Sequence, residues 1–162
     1  MTPRPIVTIM EERLREYRGW TNTLLAKTPD DWLYRQVSWS ECTIGWHMGH
    51  LAWKQDIYGL IYVGEAQQLD ADWKTGFYSE APLDIATAPP PADLRATFDA
   101  VFDRFVAQVA TLDDVALTRT DPDWPDGTIL GALTNVMVHE GEHLAGIEAL
   151  RWTFTTLTPA AD

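Results

Sequence analysis

A single cysteine, Cys42, stands among the 162 residues, so no disulfide can close within the chain and nothing calls for an oxidising compartment. Basic residues are scarce: 12 Lys and Arg against 24 Asp and Glu leave a net charge of −12. Phosphate binding relies on clustered cations, so this balance argues against a nucleic-acid surface and equally against an anionic membrane surface. It leaves room only for a local basic pocket. No apolar run approaches the ~18 residues of a membrane span. The start, "MTPRPIVTIMEER", has neither an apolar signal core nor a small-residue cleavage site, and a cytoplasmic location is expected. Alternating β-branched runs are absent, and so is any repeat of fixed period.

What is present is the balance of a globular chain, 46% hydrophobic and 22% charged. The length suits one domain, residues 1–162, with a proper core. Eight tryptophans are many for this size, and several are expected to line a pocket or an interface as well as a core.

Four helical stretches emerge from the periodicity. The first runs from about Val7 to Lys27, with Met10, Leu14, Tyr17, Leu24 and Leu25 at helical spacing. The second covers about Thr43 to Val63, with Thr43 or Ser40 as its cap. The third begins near Asp93 after "APPPAD" and carries the stripe Leu94, Phe98, Val101, Phe102, Phe105 and Val109. The fourth follows the turn-rich "DPDWPDGT", with Thr128 as cap, and continues to about Arg151. The class is all-α. The long connection between the second and third helices suits a crossover, and the expected topology is an up-down-down-up four-helix bundle. An up-down-up-down bundle with a lid-like middle loop remains open.

All four histidines fall in two places: His47 and His50 on the second helix, His139 and His143 on the fourth. The i, i+4 spacing of His139 and His143 puts them on one face, where two imidazoles can bind one metal, and a facing helix can supply further ligands. At about 100° per residue, Glu140 lies in the middle of the apolar stripe formed with Leu133, Leu144 and Ile147, while Glu142 points away from it. A buried carboxylate needs a partner or a raised pKa, so Glu140 is a candidate for acid–base work or for orienting a ligand. On the second helix His47, His50 and Lys54 line up within about 60° inside an otherwise apolar helix. Bland readings stand beside this: Lys54 snorkelling to solvent, and His47 bonded to a backbone carbonyl.

The string "HEGEH", an H-E-x-x-H match, also occurs on zinc-protease helices. Such an enzyme needs a third ligand downstream and an edge strand to hold its substrate. Only 19 residues follow His143, none of them histidine, and no strand is expected. A peptidase is disfavoured.

"TIGWHMGHLAWKQDIY" on the second helix, followed by "DGTILGALTNVMVHEGEHLAGIEALR" on the fourth, resembles the DinB-like four-helix-bundle superfamily, which includes bacterial metal-dependent thiol transferases. The resemblance covers most of the chain. By position it implies His50, His139 and His143 as ligands of a divalent metal, zinc or nickel, completed by water. It further implies frequent homodimers, and a low-molecular-weight thiol (mycothiol, bacillithiol or glutathione) as co-substrate with an electrophile. His47 is not one of the family's three positions, which leaves it as a group that orients one of the ligands from behind or as a fourth ligand.

The leading expectation is therefore a metal-dependent thiol S-transferase. Its metal would be held by His50, His139 and His143, and Glu140 or His47 would orient a ligand or shuttle a proton. Trp46, Trp53, Trp73, Phe77 and Tyr78 are expected to wall the pocket. A hydrolase using bound hydroxide, and a non-catalytic metal-binding or dimerisation module, are the alternatives. Cys42 lies just before the second helix, where a helix N-terminus can lower a thiol pKa, yet no partner is identifiable from spacing and a small buried hydrophobe is the commoner role.

Overall fold

The computed structural model describes residues 4–78 and 83–157. Its helices are α1 (Ile6–Leu25), α2 (Ile44–Tyr58), α3 (Ala71–Phe77), α4 (Pro91–Val109) and α5 (Ile129–Leu157). Among the described residues the only β pairing is two isolated bridges, Val37 with Ser40 and Thr120 with Thr128. The fold is all-α. No described helix is long and apolar enough to cross a membrane.

The helix starts follow the expected capping chemistry. Thr43 Oγ1 accepts the Trp46 amide at 3.1 Å, and Thr128 Oγ1 accepts the Gly131 amide at 2.9 Å. In α4, Pro91 occupies the first turn, where its missing N–H is no loss, and Asp93 faces the positive end of the helix dipole. Past Tyr58 the second helix widens into a π-helical turn, Gly59–Val63, within the expected span. The last helix runs beyond Arg151 to Leu157, because Thr153 and Phe154 still face the interior and Phe154 packs edge-on to Trp32.

Helix α3 lies in the connection between α2 and α4 and was not expected. Its seven residues are too few to establish a period, but Asp70 Oδ1 caps it by accepting the Trp73 amide at 2.8 Å. The start of this connection is pinned from below. The buried Asp56 carboxylate accepts the Gln68 and Leu69 amides and the Arg104 guanidinium.

Helix α2 packs against α4 and α5, and α1 packs against the same two. The apolar interior divides in two. One part holds Leu25, Met48, Leu51, Phe98, Ile147 and Phe154; the other holds Leu14, Tyr58, Phe105, Ile129, Leu133 and Val136. Each fully buried side chain of this kind contributes about 1.5–3 kcal/mol. Along α1, α2 and α5 the residue where one part gives way to the other is polar and buried: Arg18, Gln55 and Glu140. Toward the helix ends, Arg151 donates to the Leu24 carbonyl and to Thr28, Arg95 donates to the Leu25 and Thr28 carbonyls, and the Val7 amide donates to Asp114.

Candidate metal centre

The seam between α2 and α5 gathers all four histidines. One nitrogen each from His50, His139 and His143 lies within 4.8 Å of the others. Ring centroids are 4.4 Å apart for His139 and His143, 4.9 Å for His50 and His143, and 5.2 Å for His50 and His139.

Helix α3 orients His50. Its Nδ1 lies 2.6 Å from the Phe77 carbonyl oxygen, and since a carbonyl only accepts, the proton sits on Nδ1 and the Nε2 lone pair is left for a ligand. The Phe77 carbonyl is available because the last turn of a helix leaves its acceptors unused. The approach depends on Gly49: a Cβ there would meet the Phe77 ring at 2.3 Å. Trp73 Nε1 fastens the same junction by donating to the Gly49 carbonyl at 3.0 Å.

His143 has a neighbour on each nitrogen. Its Nε2 faces His139 Nε2 at 3.1 Å, and its Nδ1 faces His47 Nδ1 at 2.7 Å. Each contact needs one proton between two nitrogens. With a cation in place of the proton between His139 and His143, His143 would keep Nδ1–H and donate it to His47. His47 thus touches a member of the cluster and stands outside the converging set. It fits because Gly146 carries no side chain; a Cβ there would come within 2.7 Å of its ring.

Burial favours the neutral imidazole at His47, His139 and His143. It lowers His47 to about 4, with repulsion from His50 adding to the effect, and lowers His139 to about 4, with His50 and Lys54 adding. His143 is lowered to about 2, by burial first and then by His139, His47, His50 and Lys54. Neutral imidazole is the metal-binding form. It also fixes a pH dependence for the metal-free protein. The unfolded chain takes up these protons below about pH 6.5 and the folded one does not, so stability is intact above that value and falls as pH drops toward 4. Each proton contributes a slope of up to about 1.4 kcal/mol per pH unit. Urea midpoints at pH 7.5, 6.0 and 5.0 should decline with more than one proton's slope; a flat profile would show that the imidazoles are solvated.

Tryptophans wall the cluster as expected. Trp46 stacks on His50 at 4.7 Å, and Trp53 lies tilted against it at 5.7 Å with Tyr78 edge-on behind. Cys42 lines a cavity of about 340 Å³ together with Glu41, Trp46, His47 and His143, which opens the cluster on the His47 side.

Glu140 is placed differently from the histidines. Arg18 Nε and Nη2 donate to its two oxygens at 3.0 and 3.1 Å, and Gln55 Nε2 donates at 3.1 Å. Arg18 also reaches the Phe98 carbonyl and Gln55 Oε1, and its guanidinium lies over the Phe98 ring at 3.6 Å. The pair is almost wholly excluded from solvent, each side chain 3% exposed. No hydrogen bond joins Glu140 to a histidine among the described residues; its carboxylate accepts three hydrogen bonds, two from Arg18 and one from Gln55. Sequence reasoning missed Arg18 and Gln55. A signal existed for Arg18, which falls at heptad spacing with Leu14, Thr21 and Leu25, a position reserved for the core.

Three converging imidazoles suit a divalent transition metal. At bond lengths of ~2.1 Å the ligand nitrogens stand roughly 3–4 Å apart, so small side-chain adjustments bring this set into reach. The Phe77 carbonyl behind His50 and His47 behind His143 are the outer partners that such ligands regularly have. No curated protein matches the chain. The DinB superfamily profile matches residues 13–147, a stretch that takes in all four histidines, Glu140 and Arg18. The chain belongs to the DinB superfamily.

Proposed function

We propose that the protein is a divalent-metal-dependent thiol S-transferase, with His50, His139 and His143 holding zinc or nickel. The observation that carries this reading is the convergence of three histidine nitrogens while the fourth histidine is turned to one of the three instead of joining the set. Three protein ligands leave a coordination position for substrate. A metal bound there would lower the pKa of a thiol or water and so supply a nucleophile at neutral pH. His47 receives the His143 Nδ1 proton and keeps that ring in register. Glu140 acts through Arg18 and Gln55 as a positioning residue for the turn that carries His139. Trp46, Trp53 and Tyr78 exclude water from the reacting thiol. The end contacts of Arg151 with Leu24 and of Arg95 with Leu25 support an up-down-down-up bundle as the frame. A cytoplasmic homodimer using a mycothiol-, bacillithiol- or glutathione-type thiol completes the proposal.

The test is conjugation of each thiol to a chlorobimane by zinc- or nickel-loaded protein. Metal-dependent conjugation well above the protein-free rate, lost in His50→Ala, is expected. Hydrolysis of activated esters without conjugation of any thiol would favour the hydrolase instead.

A further inference from the structure

We infer that Lys54 is the recognition point for a carboxylate on the molecule that binds at the histidine cluster. This rests on the metal-site reading above and extends it to the chemistry of the ligand.

Lys54 follows His50 by one helical turn on α2. Its ammonium lies 5.5 Å from the ring centres of both Trp53 and Tyr58. Trp53 is the ring beside His50, and the Tyr58 hydroxyl accepts from Asn135, one turn before His139 on α5. The ammonium thus lies by two rings of α2, one beside His50 and the other tied to α5 one turn before His139.

No carboxylate pairs with it among the described residues, although the chain has twice as many acids as bases. The nearby acids are engaged elsewhere. Glu140 is bound by Arg18 and Gln55, Asp56 by Arg104 and two amides, and Asp126 by Tyr62 and Asn135. Lys54 is half-buried, so its charge is only partly hydrated.

A cation beside a dication site is unfavourable by itself. An anion lying between the two positive centres is attracted by both. A compact ammonium on a flexible stem suits a single carboxylate, where a guanidinium would favour a bidentate grip.

The test uses cobalt(II)-loaded protein titrated with 3-mercaptopropionate, 2-mercaptoethanol and cysteamine, followed by the thiolate-to-cobalt absorption. In the parent, 3-mercaptopropionate should bind about tenfold tighter than 2-mercaptoethanol, and cysteamine more weakly than either. Lys54→Met should abolish the preference while leaving 2-mercaptoethanol within about twofold, and added salt should narrow the preference in the parent only. A preference that survives in Lys54→Met overturns the assignment and leaves the metal reading standing. Protein that takes up no cobalt sinks the metal reading and this inference with it.

Discussion

Replacing Arg18 with alanine is expected to lower the unfolding free energy by about 3–5 kcal/mol, the range for breaking a buried ion pair from one side. The magnitude comes from what is left behind. Glu140 is almost wholly enclosed, and Gln55 alone would remain to satisfy its two oxygens. Phe98 and Phe102 would also lose the cation over their rings, at 3.6 and 4.3 Å. Urea unfolding followed by far-UV circular dichroism measures the effect. A companion with both charges removed, Arg18→Leu with Glu140→Met, should recover most of the loss, since two apolar side chains leave no uncompensated charge. A loss below about 1 kcal/mol in Arg18→Ala would mean that water reaches the site. Loss in the double variant as large as in the single one would mean that packing, and not charge, governs the position.

His50→Ala, His139→Ala and His143→Ala are each expected to lose metal almost completely, while His47→Ala weakens it by about 10–100-fold, the range for an outer partner of a ligand. The distinction follows from geometry: the first three present nitrogens to one another, and His47 presents its Nδ1 to His143. Metal content by mass spectrometry on untagged protein gives the first readout. Thermal unfolding gives the second. A ligand at about a thousand times its dissociation constant stabilises the folded state by about 4 kcal/mol, so zinc should raise the melting temperature of the parent and not of the three alanine variants. Equal loss in His47→Ala would indicate a closed four-ligand site and favour a structural module over an enzyme.

The helices were legible because apolar spacing of 3.6 residues persists over α1 and α4 and because Thr43 and Thr128 announce their starts. Helix α3 was not, since seven residues hold less than two turns of signal. The three histidines were legible as two clusters, but the role of each required the partner helix. His47 and His50 lie on one strip of α2, so spacing alone does not separate them; the family resemblance singles out His50, and across the seam it is His47 that meets the outer nitrogen of His143. Glu140 illustrates the same limit: the wheel correctly buried it and Glu142 is exposed, yet the wheel of one helix cannot show the arginine that meets it. Arg18 is invisible to a stripe drawn from apolar residues alone, although it shares the face of Leu14, Thr21 and Leu25.

The Phe77 carbonyl that sets the His50 proton belongs to α3, and the close approach at Gly49 means that this helix cannot shift without releasing that hydrogen bond. Docking of α3 and metal binding at His50 would therefore be linked equilibria, and linkage runs equally in both directions. Whatever affinity the metal gains from a docked α3, the docking of α3 gains from the metal. Substitutions at the α3 contact, far from any ligand atom, would then be felt as changes in metal affinity. The metal in turn would set how firmly α3 closes over the cluster.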